Sequence, residues 1–117
     1  MEENNIPEVI AEDTEMVDKK GNPTQRQIDA WTAEHGKVKQ FEVDGKVVCF
    51  SQPDRKTVGA ANQVLVRTKD VTKYADTILA NCQLNFKAET AADDELYFAL
   101  QSKVDEIVTS KVATLKN

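Results

Sequence analysis

Apolar residues recur along this chain with two different periods, and the places where the period changes mark its elements. Thr24-Gln25-Arg26-Gln27 has capping-box spacing, in which the threonine oxygen accepts an orphan backbone amide and Gln27 reaches back. Ile28, Trp31 and His35 follow at helical spacing, and Gly36 sits where a left-handed C-terminal cap is favoured. A short helix is expected here, held by tertiary contacts through Trp31. The period then drops to two. Val38–Val43 and Lys46–Ser51 flank Asp44-Gly45, a dipeptide that tolerates the positive φ angles of a two-residue hairpin turn. With that loop, Val43 faces Lys46, Phe41 faces Val48 and Lys39 faces Phe50. Phe41, Val43, Val48 and Phe50 then share an apolar face, while Gln40, Glu42, Val47 and Cys49 share a mixed one. A lone hairpin is marginal in water, so the apolar face must lie against helices.

The helical period returns at Ser51-Gln52-Pro53-Asp54, where serine suits a cap, proline a first turn and aspartate the positive end of the helix dipole. Val58, Ala61, Val64 and Leu65 form the inner side of this helix, and Gly59, Ala60 and Ala61 make a small-residue patch for close approach. Asp70 is expected to begin a third helix, in which Val71, Tyr74, Ala75, Ile78, Leu79 and Cys82 keep three–four spacing. Asn85–Thr90 reads as a connector. A last long helix is expected from about Ala91 to Leu115, with Leu96, Ala99 or Leu100, Val104, Ile107, Val108, Val112 and Leu115 as its stripe. Asp93, Asp94 and Glu95 would sit in its first turn and Lys111 and Lys116 near its end, as the dipole favours. The predicted architecture is α+β and predominantly helical: a short N-terminal helix, a two-stranded β-hairpin, then three helices.

Composition refines this picture without changing it. At 117 residues, with 40% hydrophobic and 30% charged positions, the chain is sized and composed for one globular domain. Its charge is uneven. The formal net charge is −5, and residues 1–18 hold seven acids (Glu2, Glu3, Glu8, Glu12, Asp13, Glu15, Asp18) and no base, so the remainder carries +2. Residues 1–23 therefore read as an acidic N-terminal arm closed by a Lys-Lys-Gly-Asn-Pro turn, and residues 24–117 as a single α+β domain. No apolar run approaches the roughly 18 residues of a membrane span, so no membrane partner is expected. The acidic start fits neither a secretory signal nor a transit peptide, which makes the cytoplasm the expected location. Cys49 and Cys82, far apart in sequence, are expected as buried free thiols.

Candidate chemistry is sparse. One histidine and two distant cysteines do not make a zinc site, and four single glycines at 21, 36, 45 and 59 do not make a phosphate loop. No catalytic constellation, metal site or cofactor is expected, and the acid pair Asp93-Asp94 is accounted for by a helix N-terminus. Arg55, Lys56, Arg67, Lys69 and Lys73 form a basic stretch broken only by Asp70. Without interleaved aromatics, and on a body of only +2, a solvated helix face explains that stretch better than nucleic-acid binding does. The acidic arm is a second possible occupant, by charge complementarity. Phe86, Tyr97 and Phe98 are the candidate anchors for a protein partner; Tyr97 and Phe98 are neighbours on one helix, so at least one lies off the inner stripe.

Several segments together resemble a known group. Gln25-Arg26-Gln27-Ile28-Asp29-Ala30-Trp31, His35-Gly36-Lys37-Val38, Phe50-Ser51-Gln52-Pro53-Asp54-Arg55-Lys56-Thr57 and Ile78-Leu79-Ala80-Asn81-Cys82 resemble small proteins from tail gene clusters of phages and prophages of Bacteroides-type bacteria, which look like tail assembly chaperones. The resemblance covers about residues 24–115 and leaves out the arm. After Cys82 the chain departs from the family pattern, having Gln83-Leu84-Asn85-Phe86-Lys87 in place of a glycine-containing acidic stretch. The resemblance carries no catalytic residues. It implies a protein that binds the long, helical tape-measure protein, or another tail protein, in the bacterial cytoplasm before the tail tube closes. Two further classes fit the same residues: a virion structural or adaptor protein, and an acidic inhibitor of a host defence protein. Client identity, stoichiometry and oligomeric state are not encoded in these motifs.

Overall fold

The computed structural model describes residues 15–109, 111 and 113–116. Its elements are helix α1 (Gln25–His35), strands β1 (Val38–Val43) and β2 (Lys46–Ser51), and helices α2 (Arg55–Thr68), α3 (Val71–Cys82), α4 (Lys87–Ala92), α5 (Asp94–Gln101) and α6 (Val104–Val108). The fold is α+β and mostly helical, with one two-stranded antiparallel sheet. The greater part of the acidic arm, residues 1–14, lies outside the described residues. Its last part makes a turn in which the Asp18 carboxylate accepts from the backbone N–H groups of Lys20 and Asn22, at 2.8 and 2.9 Å.

The hairpin has the expected register: Val43 opposite Lys46, Phe41 opposite Val48, Lys39 opposite Phe50. Asp44 and Gly45 both take positive φ, 50° and 81°, as a two-residue turn of this hand requires. Val48 and Phe50 are buried on the apolar face, with Phe41 and Val43 partly buried beside them. The rings of Phe41 and Phe50 meet edge to face, with centroids 5.9 Å apart. The core is this face plus Ala61 of α2, Ala75, Ile78, Leu79 and Cys82 of α3, Leu96 and Leu100 of α5, and Val104 and Ile107 of α6.

The free edge of β2 is closed by side-chain amides, which the pattern of apolar residues did not foretell. Asn22 accepts from Val47 N–H at 2.9 Å and donates to the Gly45 carbonyl at 2.8 Å. Asn85 accepts from Cys49 N–H at 2.9 Å and donates to the Val47 carbonyl at 3.0 Å. Leu84 N–H adds a backbone bond to the Cys49 carbonyl at 2.8 Å. Each amide offers one donor and one acceptor, so it stands in for a neighbouring strand and removes an edge that would otherwise template aggregation. It also explains why Cys49, on the mixed face, is fully buried.

Three helix starts follow from capping. Thr24 accepts from Gln27 N–H at 3.4 Å, Asp54 from Thr57 N–H at 2.8 Å, and Asp70 from Thr72 N–H at 2.9 Å. The second differs from expectation: Ser51 does not cap α2 but ends β2, and its hydroxyl donates to the Cys82 carbonyl. α1 also differs. None of its residues is fully buried, and Trp31 is only half-buried, so the aromatic anchor expected there is a light one.

The largest departure is at the C-terminal end, where one long helix was expected and three short ones stand. Lys87–Ala92, partly read as connector, is helical. Asp93 then leaves helical geometry (φ −126°, ψ 105°) and caps α5, accepting from Glu95 and Leu96 N–H at 3.0 and 3.4 Å. An aspartate contributes more as a cap than inside a helix, because its short carboxylate competes for backbone amides. A second break follows Gln101, where Lys103 N–H tightens onto the Leu100 carbonyl at 2.9 Å. The inner stripe of Leu96, Leu100, Val104 and Ile107 stays buried across that break, so its periodicity reported burial rather than helical continuity. Leu115 is 91% exposed, and Val112 lies outside the described residues.

The end of α6 is held from the hairpin. Lys39 Nζ donates to the carbonyls of Glu106, of Ile107 at 3.0 Å and of Thr109 at 2.6 Å, while Gln52 Nε2 donates to that of Val108 at 2.8 Å. Together they satisfy the carbonyls that a helix leaves orphaned at its C-terminus, with a cation on the negative end of the dipole.

Asn85→Ala leaves the buried Cys49 amide without an acceptor. A loss of about 1–3 kcal/mol is expected, read as a lower urea midpoint with an unchanged slope.

Candidate functional site

The turn between α2 and α3 helps to frame a groove on the surface. Lys69 takes left-handed geometry (φ 56°, ψ 32°) and its N–H bonds the Leu65 carbonyl at 2.6 Å, ending α2. Asp70 caps α3 at once, so the two helices fold back on each other, with the small buried residues Ala61 and Ala75 in the core beneath. Against this pair lie α5 and α6. The space between is an open groove of about 640 Å³, walled by Asn62, Leu65, Val71, Tyr74 and Ala75 on one side and Phe98, Gln101, Ser102, Val104 and Asp105 on the other. Its buried lining residues, Ala75 and Val104, are apolar, and its exposed ones are mixed, Asn62, Ser102 and Asp105 beside Val71 and Phe98. Phe98 is 60% exposed and Val71 69% exposed, and Val66, next to Leu65, is 74% exposed. Val71, read as part of the inner stripe of its helix, thus faces solvent.

Helix α5 divides the two adjacent aromatics. Phe98 lines this groove, whereas Tyr97 packs partly buried against the core and lines a second, smaller groove of about 380 Å³ between α3, α4 and α5. Their rings still touch edge to face, centroids 5.6 Å apart. Tyr97 Oη donates to the Asp76 carboxylate. Desolvation, followed by the Asp76 hydrogen bond and the charges of Asp76 and Asp70, pushes the phenol up to about 12. Phe86 is separate from both. It starts α4 in left-handed geometry (φ 57°, ψ 30°), packs half-buried on the core, and its carbonyl accepts from Thr90 N–H at 3.0 Å and Thr90 Oγ at 2.8 Å. The structure therefore brings Tyr97 and Phe98 side by side, in different grooves, and leaves Phe86 in a supporting position.

The basic residues separate as well. Arg55 and Lys56 open α2 and Arg67 lies near its end, about 18 Å further along at 1.5 Å per residue. Lys69 and Lys73 join Arg67 around the α2–α3 turn, all three exposed, and none of the five basic residues lines the groove. Groove residues Leu65, Val71 and Tyr74 are within two positions of these cations in sequence. The signal that would have located the groove in the sequence is the pair of apolar residues, Leu65 and Val71, on either side of a charged helix–helix turn.

Chemistry elsewhere is spare. His35 Nε2 lies 3.6 Å from Glu34 Oε1 at the exposed end of α1. Cys49 and Cys82 are free and buried, and burial pushes the Cys49 thiol up to about 11 and that of Cys82 upward too, away from the reactive thiolate. Among the described residues, no group of three or more His, Cys, Asp or Glu side chains is placed to hold a metal ion. No described helix is long and apolar enough to cross a membrane. No protein-family model, curated protein or solved structure matches this chain.

A folded-state pKa above the unfolded one means that Tyr97 keeps its proton while the unfolded chain loses it. Stability from this group is full below about pH 10 and falls as pH rises toward about 12. In an absorbance titration of phenolate, the late component at about pH 12 is expected to vanish in Tyr97→Phe.

Proposed function

We propose that this chain is a non-catalytic, protein-binding chaperone of phage tail assembly, which holds amphipathic helical segments of the tape-measure protein in the groove between α2, α3 and α5. The observation that carries the reading is the exposed aromatic Phe98, which lines the same groove as exposed Val71, with buried Ala75 and Val104 between polar Asn62, Ser102 and Asp105. Such a groove accepts a helix whose apolar residues recur at three–four spacing, and its polar residues keep the unloaded protein soluble. The resemblance of residues 24–115 to small proteins of phage tail gene clusters supports the client class. Sparse nucleophiles, raised thiols and a lone exposed histidine support binding over catalysis.

Energetics favour Phe98 as the residue to test. A half-exposed phenylalanine contributes little to folding but becomes buried on binding, where an aromatic anchor is worth about 2 kcal/mol, or about thirtyfold in affinity. Tyr97, tied to Asp76, belongs to the fold instead.

Co-expression with the tape-measure protein of the same genome is expected to render that client soluble and to recover a complex. Phe98→Ala weakens the complex about thirtyfold while changing folding stability by less than about 0.5 kcal/mol; Tyr97→Phe leaves binding unchanged. An insoluble client, together with this protein in purified virions, would replace the chaperone role by a structural one.

A further inference from the structure

Each strand of the hairpin has an outer edge, and among the described residues only that of β2 is closed. There the backbone groups of Val47 and Cys49 point away from β1, where Asn22, Asn85 and Leu84 meet them. Antiparallel pairing alternates, so the residues opposite, Glu42 and Gln40, and Val38 opposite Ser51, also direct their N–H and C=O groups outward. Among the described residues no hydrogen bond reaches these backbone groups, and β1 has no second strand beside it. Gln40 and Glu42 are exposed. The usual defences of an edge are missing. No proline or bulge interrupts the pairing, and Lys39, a residue type that blunts edges, is drawn to the core side by the carbonyls of α6. The edge also has room beside it, a groove of about 590 Å³ lined by Lys39, Gln40, Phe41, Asp105, Glu106 and Thr109.

We propose that this edge pairs with the same edge of a second copy of the chain, β1 against β1 in antiparallel sense, about a two-fold axis at Gln40. The strand is complementary to itself in that sense. Lys37 and Lys39 lie toward its start and Glu42 and Asp44 toward its end, so the basic half of one copy meets the acidic half of the other. Parallel pairing would set like charge beside like. Centred on Gln40, the register places Gln40 opposite Gln40 and, at two symmetric positions, Val38 opposite Glu42. The outward N–H groups of Val38, Gln40 and Glu42 in each copy then meet the outward carbonyls of the other. On the groove side, Phe41 of each copy stands opposite Lys39 of the other. The acids there are Asp105 and Glu106, and Lys103 already meets the Glu106 carboxylate at 3.2 Å. The product is one sheet in the order β2-β1-β1-β2. Its outer edges are those that Asn22 and Asn85 already close, so assembly stops at two copies. A single strand edge is smaller than a standard interface of about 1,600 Å², so the dimer is weak and reversible.

Sedimentation equilibrium of the full chain, from about 10 μM to about 1 mM, tests this together with amide exchange over the same series. A monomer–dimer equilibrium is expected, with exchange at Val38, Gln40 and Glu42 slowing as concentration rises. Gln40→Pro removes one outward N–H and no bond of the intrachain ladder, and is expected to remain monomeric with its fold intact. The Val38 variants read the register. Val38→Glu sets a carboxylate opposite Glu42 at both symmetric positions and weakens the dimer about fivefold, whereas Val38→Lys strengthens it about fivefold. Those opposite signs decide the matter even if Gln40→Pro fails to fold. A monomer at every concentration overturns the proposal. So does a dimer that is indifferent to the Val38 variants, or one whose slowed amides lie at the groove between α2, α3 and α5. No client enters the experiment, so its outcome is separate from that of the co-expression test.

Discussion

The rest of the structure depends on burying one face of a two-stranded sheet. Two strands cannot stabilise themselves in water, so Val48 and Phe50 must find helices, and α3, α5 and α6 close over them. The strands organise as much through their backbone as through that face. Asn22 and Asn85 saturate the outer edge of β2 from two distant parts of the chain, one before α1 and one after α3. Lys39, opposite Phe50 in the register, reaches the end of α6 and collects its carbonyls. The hairpin is therefore the element to which the arm's turn, the α3–α4 connection and the C-terminal helix are all fastened.

That arrangement has a consequence for the surface. α3 spends its best apolar face on the hairpin, through Ala75, Ile78, Leu79 and Cys82. α2 has only Ala61 fully buried, and the apolar residues around the α2–α3 turn are left outside the core. α5 is amphipathic with two adjacent aromatics, of which geometry lets one turn inward. Tyr97 takes the inner position, where Asp76 accepts from its hydroxyl, and Phe98 is left facing the α2–α3 turn. The groove thus arises where α2, α3, α5 and α6 meet and Val71 and Phe98 are left outside the core.

How much of this was legible in the sequence depended on how local the determinant was. The hairpin and its register were readable because Asp44-Gly45 specifies the turn and the alternation of Phe41, Val43, Val48 and Phe50 specifies the face. The starts of α1 and α3 were readable from Thr24 and Asp70 for the same reason. The asparagine clasps were not, since nothing in the sequence around Asn22 or Asn85 says which strand edge they will meet. The C-terminal helix was misread because a buried stripe persists through a break, and Asp93 gains more by capping than by continuing. For the site, adjacency of Tyr97 and Phe98 guaranteed that one would face outward, but not which. The separation of Arg55 and Lys56 from Arg67, Lys69 and Lys73 needed the length of α2.

The central claim is that the face between α2, α3 and α5 is where this protein binds a helical partner. Hydrogen exchange of the full chain, alone and in complex with the co-expressed tape-measure protein, tests it most directly. The account predicts slowed exchange over the residues framing the groove, 62–75 and 98–105, with the hairpin unchanged. Slowing confined to β1 or α1, with the groove unaltered, would contradict it.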